Sequence, residues 1–437
     1  MTNAAIVLIL AVAIYGLLHG LDVRLVLFAA ALALASLAGQ PWVVLDAFRS
    51  TMANADVVGP ICSAMGYAYV LKLIGADQEL VRLLIAPVRR VPWLLIPGGC
   101  AVGFVTNMAV ISQTAVAAAV GLVLIPLMRA AGYRPVIAAA TLVLGCSGGG
   151  NLLNPGDADI VAIVSSTAEQ GGKTDAVWNA LAIPHVLGFI VATGAFWALS
   201  CWALPVDAEP TVDAIDSAEP STSERPIDLS KTVLPPLPIV MLFATWPRLV
   251  LFPWLLELYP DGLPVTHAVV ISTIIAMLIS RASPSAQTRA FFDGLGYGYV
   301  HVISLIIVAT SFIDAMKAVG LLGELVSLIR SSGPLGKLAA GFFPWLLAVI
   351  CGSGTAPSVA FSKAVLPELS AGDLSGAIDL GVLGSIGATY GRTMSPVAAV
   401  VIFTSTMTGV PALQIVRRTA PALAAGALVV LAIMLAR

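Results

Sequence analysis

Charge is the scarcest ingredient of this chain. Asp, Glu, Lys and Arg make up 11% of its 437 residues against 59% hydrophobic residues, and mean hydropathy is +0.97. A soluble globular domain cannot cover itself with so little polar surface. Apolar runs of about 15–25 residues without alternation exclude an outer-membrane barrel. The formal net charge of −2 leaves no cationic footprint for nucleic acid. No ATP-binding motif is present, so energy for an uphill step has to come from gradients or a partner. Cys62, Cys100, Cys146, Cys201 and Cys351 show no CxxC spacing and sit in or beside apolar segments, where a thiol packs as a small hydrophobe. No basic stretch precedes residues 2–18, which read as a retained first span and not as a leader. The class left standing is an all-α polytopic membrane protein.

The apolar segments fall at about 4–18, 25–39, 55–75, 93–129, 135–166, 178–203, 234–257, 264–280, 290–313, 338–369, 374–409 and 419–436. Residues 206–231 form a polar tether with seven acids and two bases, a composition that predicts a solvated linker. It divides the chain into 1–205 and 232–437. Lys and Arg in short loops set the orientation. Arg82, Arg89 and Arg90 in loop 76–92 demand the cytoplasm, and so do Arg129 and Arg134, so 93–129 must enter and return on one side. Continuing the count places the linker, Arg281, Arg289, Arg417 and Arg418 inside and brings 338–369 in from the opposite face; Arg49, Arg330 and Lys337 are exceptions. The arms of 338–369 reach roughly 20 Å each, short of the ~30 Å hydrocarbon core. Their turn, 351–358, is uncharged. The hairpins are therefore expected to be re-entrant.

The two halves match at a fixed offset of 241 residues. Ser112-Gln113-Thr114 pairs with Ser353-Gly354-Thr355, Pro126 with Pro367, and 150–155 with 391–396 (353 − 112, 367 − 126, 391 − 150). Each half reads as three spans, a hairpin with a Ser-x-Thr tip (93–129, 338–369), a broken helix (135–166, 374–409) and a last span (178–203, 419–436). Opposite entry of the hairpins makes this an inverted-topology repeat. Many secondary transporters share that architecture and bind near the bilayer midplane where the repeats meet.

The stretch from Gly145 to Asp159 accounts for the first break. It is glycine-rich, holds Pro155 and carries Asp157 and Asp159 inside a membrane-length segment, so no continuous helix runs through it. Helix N-termini at such breaks suit an anion. Exposed carbonyls and the hydroxyls of Ser112, Thr114, Ser353 and Thr355 suit a small hard cation such as Na+. Asn151, Asn154 and Ser395 add neutral donors or acceptors, and residue type alone leaves both roles open. Arg392 stands in an uncharged stretch and can grip a carboxylate through two parallel hydrogen bonds. The alternative is a structural ion pair with Asp157 or Asp159. Those two acids either help bind a cation, carry a proton, or form a structural or gating pair.

Other signals are weaker. The run Gly145-Cys146-Ser147-Gly148-Gly149 formally fits a G-x-S-x-G elbow, the basis of a remote intramembrane serine hydrolase reading. That elbow needs a strand-to-helix turn and a base drawn from His19, His185, His267 or His301. His301 and Asp293 read as loop-facing or interhelical groups, Gly294-Leu295-Gly296-Tyr297-Gly298 as a close helix contact, and Leu321–Arg330 as an interfacial amphipathic helix.

The run Gly352-Ser353-Gly354-Thr355-Ala356-Pro357, the break Gly391-Arg392-Thr393-Met394-Ser395-Pro396 and Ile415-Val416-Arg417-Arg418-Thr419 resemble the DcuC-type anaerobic four-carbon dicarboxylate carriers of the wider ion-transporter superfamily. The resemblance implies carriage of succinate, fumarate or malate across a bacterial inner membrane by a homodimer. It also implies an elevator motion of hairpins and broken helices against a scaffold of the other spans. Substrate contacts are expected from Ser112, Gln113, Thr114, Asn154, Ser353, Gly354, Thr355, Arg392, Thr393 and Ser395. Coupling-ion contacts are expected from Ser112, Asn151, Asp157, Asp159, Ser353, Thr355 and Gly391, with Na+ or H+ as the ion, exchange as a third driving mode, and no resident cofactor. The rivals are a same-fold carrier of another anion, a sodium–proton antiporter, and a channel.

Overall fold

The computed structural model describes residues 2–437 except 20, 88–91, 111, 155, 203–225, 246–250, 261, 322, 325, 326 and 328–332. Most of the linker 206–231, the loop residues Arg89 and Arg90, Pro155, and Arg330 with part of the amphipathic segment before it lie outside the described residues.

Among the described residues every regular element is a helix. The first half runs α1 (Thr2–Leu18), α2 (Val23–Leu37), α3 (Trp42–Met52), α4 (Ala55–Ile74), α5 (Ala76–Ile85), α6 (Leu95–Ala109), α7 (Gln113–Ala130), α8 (Pro135–Cys146), α9 (Ala158–Thr167) and α10 (Thr174–Trp202). The second runs α11 (Leu229–Thr232), α12 (Leu237–Ala244), α13 (Pro253–Leu258), α14 (Val265–Ile279), α15 (Pro284–Gly298), α16 (Ser304–Ala318), α17 (Pro334–Cys351), α18 (Thr355–Ser370), α19 (Leu374–Thr393), α20 (Ala399–Thr408) and α21 (Ala412–Ala436). Five stretches, Ala55–Ile74, Gln113–Ala130, Thr174–Ser200, Pro284–Ala318 and Ala412–Ala436, are long and apolar enough to cross a bilayer. The chain is a multi-pass membrane protein.

Local chemistry sets several boundaries. Asn54 caps α4 by accepting from the Asp56 amide at 3.1 Å. Gly75 ends α4 at φ 71°, a left-handed conformation that glycine adopts without strain. Loop 76–92 then proves to be half helix, because α5 follows at once, steadied by an Arg82–Glu79 pair at 2.8 Å. The span expected over 234–257 is not continuous. Instead α12 stops at Ala244 and α13 starts afresh at Pro253, whose missing N–H suits a first helical turn but not an interior. The span expected over 290–313 is the middle of a 35-residue helical run. That run contains a π turn at Tyr299–Ile303, a widening often found at functional sites.

Two helix–turn–helix hairpins, α6–α7 and α17–α18, each precede an interrupted helix, α8/α9 and α19/α20. The second pieces, α9 and α20, lie 241 residues apart at both ends (399 − 158, 408 − 167). Helix α6 packs on α8, α17 on α19, and α18 reaches across to α9, so the halves interlock. Closest approaches fall on glycine. A methyl on Gly294 would meet the Met65 carbonyl oxygen at 2.5 Å and the Gly66 Cα at 2.9 Å, so the α4–α15 contact exists only without side chains there. This is the packing expected of the Gly294–Gly298 run, although Gly296 itself faces open space.

Candidate functional site

Both hairpin turns and both helix breaks reach one cavity of ≈ 280 Å³. That is just under the roughly 300–1,000 Å³ of drug-sized ligand pockets and suits a small metabolite. Its lining holds Ser112, Gln113 and Thr114 at the first hairpin, Gly156, Asp157 and Ala158 at the first break, and Gly352, Ser353, Gly354 and Thr355 at the second hairpin. Arg392, Ala399 and Val400 come from the second break. The rest of the lining is Ile61 and Met65 of α4 with Tyr297, His301 and Val302.

Four helices start at this chamber: α7, α9, α18 and α20. Ser112 caps α7, accepting from the Ala115 amide at 3.3 Å. Helix α18 begins with no side-chain cap on Gly354, and Ser353 reaches the Ala356 amide only at 3.5 Å. Helix α20 begins at Ala399 with no cap on Ala398. First-turn N–H groups left without partners bring partial positive charge to the chamber. The first break is built differently. Asp157, which lies 241 residues before Ala398, caps α9 by accepting from the Asp159 amide at 3.0 Å. One repeat position thus gives an N-terminus closed by a carboxylate and an N-terminus open to an anion.

Arg392 is half-buried at the chamber. Its Nη2 donates to the Ser147 carbonyl at 3.2 Å, which also accepts from Gln113 Nε2 at 3.0 Å. Its Nε has no partner, and its guanidinium passes 3.2 Å from where a Gly354 Cβ would stand. Among the described residues no carboxylate lies within 4.0 Å of it, so the ion pair with Asp157 or Asp159 does not form. A guanidinium carries five N–H donors, and most of these remain for a ligand.

Behind the chamber sits a buried polar cluster. Asn151 Nδ2 lies 2.7 Å from Ser385 Oγ, 3.0 Å from Thr389 Oγ1 and 3.1 Å from Asp159 Oδ2, and Ser385 also donates to Asp159 Oδ2 at 3.1 Å. Asp159 Oδ1 has no partner. Sequence reasoning passed over Ser385 and Thr389. With Arg392 they stand at i, i+4 and i+7 on α19, a polar stripe along one face of that helix, which was the available signal. It also passed over Asn107, whose Oδ1 accepts from the Gly150 amide at 2.8 Å and whose Nδ2 donates to the Val110 carbonyl at 3.1 Å, tying hairpin to glycine loop. Asn151→Ala should lower the melting temperature in detergent, because stranding buried partners costs about 1–3 kcal/mol per group. An unchanged melting curve would show that the cluster contributes nothing to stability.

The remaining expected site residues stand off the lining. Thr393 Oγ1 turns back to the Thr389 carbonyl at 2.8 Å, and Ser395 Oγ accepts from the Val397 amide at 3.4 Å. Asn154 Nδ2 reaches the Met108 carbonyl at 3.4 Å, and Gly391 lies against the Trp345 carbonyl. These groups, with Asn151 and Asp159, hold the break in shape. Ser147 offers no nucleophile: it is buried, its hydroxyl donates to the Val143 carbonyl at 2.6 Å, and His185 bonds the Gly148 carbonyl instead. His301 is not a loop or interhelical group. It lines the chamber, with Nδ1 on the Tyr297 carbonyl of its own helix at 3.0 Å.

Apolar helices closed around a small polar chamber, built where helices are interrupted, define a membrane transport protein. The chain belongs to the DcuC family, described as the C4-dicarboxylate anaerobic carrier, whose match covers residues 36–437. It is 32% identical over 196 residues to an uncharacterized transporter of Haemophilus influenzae, covering 45% of this chain and 68% of that one. It is 24% identical over 400 residues to the anaerobic C4-dicarboxylate transporter DcuC of Escherichia coli K12, covering 86% and 80%. A DcuC-type anaerobic C4-dicarboxylate transporter of Vibrio cholerae is 25% identical over 374 residues, covering 81% and 76%. The family and these relatives are transporters, and the chain is not an enzyme.

Proposed function

We propose that this protein is a secondary carrier of four-carbon dicarboxylates, such as succinate, fumarate and malate, in a bacterial cytoplasmic membrane. Arg392 carries the reading: it is a permanent cation at the chamber with one protein hydrogen bond and, among the described residues, no carboxylate within 4.0 Å. Family membership supports the substrate class. One substrate carboxylate takes the free guanidinium donors, and the open N-termini of α18 and α20 with the hydroxyls of Ser112, Thr114, Ser353 and Thr355 complete its cradle.

Residues 1–205 and 232–437 act as inverted repeats with re-entrant hairpins and a cytoplasmic linker. The equal offset of α9 and α20 supports that symmetry. Hairpins and broken helices move as one body against the other spans, within a homodimer. The coupling ion is Na+ or H+, balanced by Asp157 and Asp159 with Asn151 and the main chain at Gly391, or transport proceeds by exchange. In proteoliposomes, labelled succinate should accumulate under a Na+ or a proton gradient imposed singly, or exchange against internal diacid. Chloride and lactate should neither compete with succinate nor raise the melting temperature. Absence of flux for every diacid under all three regimes would sink the reading.

A further inference from the structure

We infer that His301 receives the second carboxylate of the substrate and that this contact carries one proton into the binding site. The inference rests on the dicarboxylate reading and adds to it the part of the lining formed by α4 and the long helix around the π turn. In that part, Ile61, Met65 and Val302 offer no polar atom, Tyr297 offers a hydroxyl, and His301 offers a ring nitrogen. The His301 ring stacks on Tyr297 with centroids 4.0 Å apart, and Tyr297 in turn lies 5.7 Å from Tyr69. The π turn Tyr299–Ile303 sets this face of the long helix, and widened turns of this kind recur at ligand sites.

The hydrogen bond to Tyr297 fixes the chemistry. A carbonyl only accepts, so Nδ1 is the protonated nitrogen. In the neutral ring Nε2 then carries a lone pair, and among the described residues it has no partner. A carboxylate cannot accept from a lone pair. The contact forms only with one proton between Nε2 and the carboxylate oxygen, carried by the ring as imidazolium or by the substrate as carboxylic acid. Both arrangements bring in the same single proton, and a dianion meets Arg392 at one end and a proton-bearing pair at the other.

The charged and titratable groups around His301 are few. Asp157 and Arg392 line the same chamber, and Tyr297 and Asp293 lie on its own helix. Tyr69 and Cys62 come from α4. Tyr299 follows in the π turn, and Asp314 and Lys317 pair with each other at 3.5 Å at the far end of α16. Arg24, from α2, donates to the Val300 carbonyl but is already paired with Asp22 at 2.5 Å.

The test measures succinate binding to the purified full chain between about pH 7 and 9, with proton uptake followed by an indicator dye in weak buffer. In the wild type, affinity should fall up to about tenfold per pH unit, with about one proton taken up per succinate bound. His301→Gln keeps an N–H donor without titrating, so it should bind succinate with no pH slope and take up no proton. His301→Ala should lose the slope and affinity together. A wild-type slope that survives in His301→Gln overturns this inference alone. A wild type that binds no diacid overturns the dicarboxylate reading and this inference with it.

Discussion

Arg392→Ala should weaken succinate binding roughly thirty-fold or more and cut transport in proportion at subsaturating substrate, while the protein stays folded. Removing one member of a desolvated, hydrogen-bonded charge pair costs about 2–5 kcal/mol, and each 1.4 kcal/mol is a factor of ten. The fold survives because the side chain makes one protein hydrogen bond, to the Ser147 carbonyl, which keeps Gln113 as a donor. Arg392→Lys should recover little. An ammonium is a compact point charge and cannot offer the paired N–H groups that match a carboxylate. Equal affinities for wild type and Arg392→Ala, measured by equilibrium binding, would remove the arginine from the site.

Gly149→Ala and Gly391→Ala should both collapse the yield of monodisperse protein and lower the melting temperature of what remains. A Cβ at Gly149 would stand 2.0 Å from the Phe104 carbonyl oxygen, and one at Gly391 would stand 2.2 Å from the Trp345 carbonyl oxygen. Both obstacles are backbone, so no rotamer change relieves them. The hairpin arm must move away from the interrupted helix that supports the chamber. Overpacking costs about 1–3 kcal/mol where side chains can give, and more where they cannot. Gly296→Ala is the control: nothing lies within 4 Å of its Cβ position inside a helix, so yield and flux should match the wild type and melting should be equal or slightly higher. Normal melting and flux in the Gly149 and Gly391 variants would mean that these seams are looser than the structure has them.

Much of the architecture was legible because it depends on local chemistry. A helix cannot run through Gly148-Gly149-Gly150, and the α8/α9 interruption falls there. Apolar length fixed the membrane class, and α9 and α20 start and end 241 residues apart, the spacing of the matched motifs. The failures were also local in origin. A window of apolar residues over 234–257 carries no sign that Pro253 opens a new helix instead of interrupting a span. The open and closed N-termini at the two breaks needed the structure, since Asp157 and Ala398 differ in consequence only once each is seen to occupy a cap.

By itself the sequence determined a helical membrane protein, the glycine-rich interruption between α8 and α9, and which permanent cation the second break carries, because backbone preference and bilayer length act residue by residue. Only the tertiary structure decided which polar groups share the chamber. Thr393 and Ser395 carry suitable hydroxyls but engage them with their own backbone, whereas His301 reaches the chamber from the π turn, and Ser385 meets Asn151 across 234 residues of chain. Helical pitch fixes a side chain's direction only relative to its own helix. Where that direction leads depends on how neighbouring helices pack and which nearby acceptors capture the group first.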